Sequence, residues 1–214
     1  GQGVLAVLIQ IGGLGVSSIG VGLVLAARKK VGIKSRGIVK EALNTDNYKG
    51  IVRLVRAVII TTLGFEIAGA VLSFLVFVKD FKPLHALGIS IFHSVAAFNN
   101  SGFDILGGLR NLTPYYNDLL LNLVTIALII FGGIGFLVIM DVAKNKRFRK
   151  LSLHSKIVIT TSAGLIVVGT LLLKATEKIT WLEALFQSVS TRTAGFSTCA
   201  IGNFTNAGLF VMCI

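Results

Sequence analysis

Four long apolar runs alternate with shorter polar segments along the chain, at residues 3–27, 54–78, 119–143 and 157–173. A helix needs about 20 apolar residues to cross a bilayer core. The first three runs therefore predict spanning helices, and the fourth a slightly shorter one. Two further apolar stretches, 84–98 and 181–191, are too short to cross. The first carries no formally charged side chain and runs directly into the polar turn FNNSGFD at 98–104. The second carries Glu183 and leads into a similar phrase, TRTAGFST at 191–198.

Composition puts this pattern in a membrane. Of 214 residues 54% are hydrophobic and only 14% charged, with a mean hydropathy of +0.84. A soluble fold of this size would need more polar surface than that. The net charge of +12 raises the question of nucleic acid, but its placement answers otherwise. Nine of the 21 Lys and Arg lie between Arg28 and Arg56, and six between Lys144 and Lys156. Alternating spans put both clusters on one side, which the positive-inside rule makes cytoplasmic. The basic clusters lack the repeated aromatic interleaving of a nucleic-acid surface, with only Tyr48 and Phe148 among them, so no nucleic-acid partner is expected. The expected location is the plasma (inner) membrane, multi-pass, with loops 28–53 and 144–156 in the cytoplasm. Cys199 and Cys213 are too few for a disulfide framework.

Both short stretches then fall on the outer side, each between an outward and an inward helix. Two similarities suggest a repeated unit of helix, pore loop and helix. IQIGGLGV (9–16) matches IIFGGIGF (129–136), and FHSVAAFNNSGF (92–103) matches FQSVSTRTAGF (186–196) with one residue skipped. The expected fold is an all-α membrane protein built of such units. Residues 1–53 form the inner helix of a first unit with a basic loop, 54–156 a complete second unit, and 157–214 most of a third. The chain starts without Met and ends on the apolar GLFVMCI, so it is expected to be an internal fragment of a longer protein. Gly12, Gly13, Gly15, Gly132, Gly133 and Gly135 are read as close helix packing.

The polar turns carry the chemistry. A helix of about 15 residues is roughly 22 Å long, too short for a core of about 30 Å, so its chain must turn back inside the membrane. Irregular backbone is tolerated there only where protein buries it or where it lines a water-filled cavity. The helix C-terminus carries partial negative charge from unpaired carbonyls and favours a cation. Gly102 and Gly195 open backbone conformations closed to other residues, so that flanking carbonyls can replace a cation's hydration shell. The filter candidates are Asn99, Asn100, Ser101, Gly102 and Phe103 in one turn, and Thr193, Ala194, Gly195 and Phe196 in the other. Arg192 is expected to brace filter carbonyls, the role favoured over repelling cations at low occupancy, with His93 and Gln187 as packed pore-helix residues supporting the turns. Asp104 is placed either at the outer mouth, concentrating cations, or as an ordinary loop carboxylate. Glu66, mid-helix, is read as paired with a structural partner inside the bundle in preference to an ion ligand, and Asp141 is expected to face the lysines that follow it. The only metal expected is a monovalent cation, held by carbonyls near Gly102 and Gly195.

At these residues the sequence resembles the superfamily of Trk, Ktr and HKT potassium and sodium transporters. IQIGGLGV resembles the inner helix of its first unit, AFNNSGFD its second filter and STRTAGFST its third, with AFNNSGF and RTAGF closest to the bacterial Ktr membrane subunit. The resemblance implies four helix–pore loop–helix units around one pore in the full protein, and potassium uptake through glycine-containing filters. It also implies a homodimer in lipid, gated by a cytosolic nucleotide-binding ring. No cofactor is expected in this chain, and K⁺ is the expected transported ion with Na⁺ as the alternative. Two other classes compete. A secondary transporter of organic solutes would interrupt its spanning helices. An intramembrane enzyme would need convergent catalytic groups, and the sequence holds no HExxH and no nucleophile matched to a base.

Overall fold

The computed structural model describes residues 2–13, 48–104, 106–107 and 110–213. Every regular element among them is helical. Helix α1 covers Gln2–Gly13, the described part of the first apolar run; Gly15 and the basic loop 28–47 lie outside the described residues. Helix α2, Tyr48–Phe77, contains the spanning segment Arg56–Phe77. A tight turn at 78–81 leads to Pro83, which opens α3, Pro83–Phe98. Proline suits this position because its missing N–H would have no intrahelical partner there. Helix α3 packs against α2 and stops at the first glycine turn.

After that turn the chain crosses a loop with a 3₁₀ turn at Thr113–Tyr115. Asp118 then caps α4, Leu119–Ile134, its carboxyl accepting from Leu121 N–H at 2.8 Å. Such a cap is worth about 1 kcal/mol. Asn122 secures the loop to the helix by donating to Tyr115 O at 2.9 Å and Asp118 O at 2.7 Å. Helix α4 is the hub, touching α2, α3 and α7. Its Leu121, Leu128 and Ile129 are among the most buried side chains.

The single straight span expected over 119–143 is not what forms. Helix α4 ends at Gly135 and α5, Phe136–Asn145, departs at 99°. Gly135 has φ +92° and ψ 143°, a conformation essentially confined to glycine. The apolar pattern runs unbroken through Phe136–Met140, so hydropathy alone could not reveal the break. Asp141 is likewise placed differently from the expectation. Its carboxylate accepts from Asn145 Nδ2 at 2.6 Å and from Ser152 N–H at 2.9 Å, tying α5 to the start of the next helix rather than to the lysines.

Helix α6, Leu153–Thr176, is the second span; Leu165, Val167, Val168 and Leu171 stand exposed along it, as a lipid-facing surface requires. Helix α7, Trp181–Thr193, begins with a capping box between Thr180 and Glu183 and packs on α6 and α4. The second glycine turn follows. A final helix α8, Asn206–Cys213, returns along α6. Thr205 precedes it, and both its N–H and its hydroxyl donate to Glu177, at 2.8 and 2.6 Å.

Candidate functional site

The two short helices are docked by the same device. Ser94 on α3 donates its hydroxyl to Glu66 O on α2 at 2.7 Å, and Ser188 on α7 donates to Ile166 O on α6 at 2.9 Å. In each case the serine oxygen sits against a glycine of the long helix, Gly69 or Gly169, where a Cβ would come within 2.5 Å of it. Both serines belong to the shared F-H/Q-S-V phrase. The phrase was visible in the sequence; the hydroxyl's role was not.

His93 and Gln187, one residue earlier, are 4% and 1% exposed. Thr125 Oγ1 spends its proton on Leu121 O at 2.7 Å, so His93 Nε2, 2.8 Å away, must be the donor to it. The imidazole also meets Phe196 edge-on at 5.5 Å and Phe77 at 5.8 Å. His93 thus joins the first short helix to the second turn. Gln187 Oε1 lies 3.4 Å from Ser197 Oγ, whose proton is better placed for Cys199 O at 2.6 Å.

Beyond these supports the two turns meet. Gly102 has φ +70° and Gly195 φ +82°. A Cβ on Gly102 would strike the Ala194 carbonyl oxygen and lie 3.4 Å from Gly195 Cα. Asn100, just before, has φ +52°. Ser101 N–H bonds back to Ala96 O at 3.0 Å, and Gly195 N–H bonds back to Ser190 O at 3.1 Å, so both turns close onto the last turn of their own helix. Further out, Leu112 N–H donates to Ser197 O at 3.0 Å and links the loops that follow them. Thr193 is exposed, while Ala194 and Phe196 are buried. Phe103, by contrast, is 51% exposed. Asp104 accepts from Leu106 N–H at 3.1 Å, which shapes its own loop.

Two of the double glycines, Gly132 and Gly13, pack closely against the end of a neighbouring helix, where α3 runs into its turn. Gly132 leaves room for the Phe98 carbonyl at the end of α3, and Gly13 leaves room for the Asn99 side chain. With its amide oriented to satisfy both neighbours, Asn100 donates to Ile129 O at 3.3 Å and accepts from Gly133 N–H at 3.1 Å. A Cβ on Gly133 would also come within 3.4 Å of Arg192 Nη2. Arg192 Nε and Nη2 are buried and bond to no acceptor among the described residues, so these two nitrogens do not brace the loop carbonyls there. Gly12 faces open space.

Long apolar helices, short helices stopping at glycine turns and the contact between those turns define an all-helical membrane protein. A family model described as TrkH, cation transport protein, matches residues 1–159. The chain belongs to that family of cation transporters. It is 36% identical to Ktr system potassium uptake protein B of Bacillus subtilis, over 95% of this chain and 48% of that protein. It is 35% identical to potassium/sodium uptake protein NtpJ of Enterococcus hirae, over 99% and 49%. To Ktr system potassium uptake protein B of Vibrio alginolyticus it is 32% identical, over 100% and 50%. The chain spans about half the length of these relatives.

Proposed function

We propose that the protein containing this chain takes up K⁺ through a membrane pore whose filter includes the turns at 99–103 and 193–196. The observation that carries the reading is the contact of two positive-φ glycines, Gly102 and Gly195, each at the end of a helix too short to span. Backbone of this kind exposes carbonyls at membrane depth, where a partly dehydrated cation is the natural ligand. The shared docking through Ser94 and Ser188 supports two copies of one unit, 54–156 and 157–214, after the inner helix and loop of 1–53. Potassium is favoured over other cargo by the names of the relatives, and the name of NtpJ makes Na⁺ the second reading.

In the same proposal the protein is a homodimer in the plasma membrane with loops 28–53 and 144–156 cytoplasmic, where a nucleotide-binding regulatory ring reaches it. The test is Rb⁺ uptake by the full-length protein in cells lacking their own potassium uptake systems, with K⁺ and Na⁺ as competitors. Saturable entry blocked more strongly by K⁺ than by Na⁺ is expected. Stronger block by Na⁺ would replace potassium by sodium, and no cation flux with the cytosolic partner supplied would end the pore reading.

A further inference from the structure

The two glycine turns are held by different means. At the second, Ser190 donates its hydroxyl to Phe196 O at 2.6 Å, so the helix braces its own turn from within. Four residues after the shared phenylalanine, where α7 carries Ser190, α3 carries Ala96, which has no hydroxyl to give. The first turn is tied to its own helix by Ser101, whose hydroxyl donates to Ala96 O at 3.2 Å, and is braced from outside as well. Asn99, the C-cap of α3, has two amide hydrogens, and its two shortest acceptors are Val95 O at 2.9 Å and Glu66 Oε1 at 3.0 Å. Gln10 Oε1 is a more distant third at 3.3 Å. Glu66 is 5% exposed, and its other oxygen accepts from Gln10 Nε2 at 3.0 Å. A spanning helix, the inner helix α1 and the first turn therefore converge on one carboxyl group.

We infer that Glu66 is a positioning residue for the first turn, acting through Asn99 and steadied by Gln10, and so helps set cation affinity and discrimination. The inference rests on the pore reading of that turn. Asn99 fixes where the backbone leaves α3, and the next three residues are Asn100, Ser101 and Gly102. A shift of Asn99 is passed directly to the carbonyls of those residues. Glu66 itself is spoken for by Asn99 and Gln10, which leaves its effect on the ion indirect.

The experiment measures Rb⁺ KM, maximal rate per surface-exposed protein and inhibition by Na⁺ for the full-length transporter. The variants are Glu66→Ala, Glu66→Gln, Asn99→Ala, the Glu66→Ala/Asn99→Ala double and, in parallel, Gly102→Ser. Glu66→Ala and Asn99→Ala should each raise KM for Rb⁺ by up to about tenfold, the upper scale of one lost hydrogen bond, and weaken discrimination against Na⁺. The double should be no worse than either single, because both remove one link. Glu66→Gln keeps an acceptor for Asn99 and should stay within about twofold of the parent. If Glu66→Ala cannot be expressed, Asn99→Ala and Glu66→Gln carry the same comparison. Unchanged KM and discrimination with less protein, or Glu66→Gln as defective as Asn99→Ala, would overturn the positioning role. A changed Gly102→Ser beside normal Glu66 and Asn99 variants would sink this inference alone. A neutral Gly102→Ser would sink the pore reading beneath it.

Discussion

Gly102 and Gly195 stand against one another, but the contact is not symmetric. A Cβ on Gly195 would lie an ordinary 3.9 Å from Gly102 Cα, whereas one on Gly102 would collide with the Ala194 carbonyl oxygen. Both residues have positive φ, so alanine at either pays about 1–2 kcal/mol of backbone strain. Gly102→Ala pays a backbone collision in addition. We predict that Gly102→Ala lowers the thermal midpoint in detergent and shifts Rb⁺ KM more than Gly195→Ala does. Equal effects would mean that the turns do not meet as described.

The outline of this site is legible in the sequence. Short apolar stretches ending in polar, glycine-containing turns are a local pattern, and local patterns survive in sequence. What holds the first turn in place is not legible. Gln10 and Asn99 are far apart along the chain, and nothing in the spacing of Glu66 names either as its partner. The serines of F-H/Q-S-V looked like part of a repeat, yet their acceptors are carbonyls on other helices. The break at Gly135 was hidden for a different reason, since a glycine in an apolar run reads equally as helix packing and as a hinge.

That break supplies the second prediction. Unbent, a helix from Leu120 to Lys144 would be about 36 Å long; a 99° turn after α4 makes the separation clearly shorter. Spin labels at Leu120 and Lys144, both exposed, should report the shorter distance in electron double resonance. A Cβ at Gly135 meets nothing within 4 Å, so Gly135→Ala costs backbone strain alone, about 1–3 kcal/mol. The variant should either lose that much stability or move the label distance towards the straight value. A parent distance near about 36 Å would show that the helix is continuous.

Topology is testable at two exposed positions. Arg149 lies in the basic cluster after α5, and Lys178 lies between α6 and α7. In a background with Cys199 and Cys213 replaced by serine, Arg149→Cys should react with an impermeant maleimide only after the cells are opened. Lys178→Cys should react in intact cells. The reverse pattern would invert the whole arrangement, because α6 separates the two sites.

Cys199 offers a chemical check on the packing around the second turn. It is 8% exposed in the loop between α7 and α8, beside a cavity of about 350 Å³ also lined by Tyr116, Glu177 and Glu183. Burial disfavours the thiolate and pushes the thiol up from 9.0 to about 11. The thiolate is the reactive form, so at pH 8 its population falls about 100-fold below that of an ordinary cysteine. In a Cys213→Ser background, alkylation by iodoacetamide should be slow at pH 7 and rise about tenfold per pH unit well beyond pH 9. The same shift has a sign for stability. A thiol whose pKa is higher when folded holds its proton more tightly in the native state. Its contribution is therefore complete below the ordinary thiol value and is lost as pH rises towards 11. Replacing Cys199 by Ala should remove that part of the alkaline loss. Rapid labelling at pH 7 with a plateau near pH 9 would place Cys199 in water, and the packing of the loop behind the second turn would have to be redrawn.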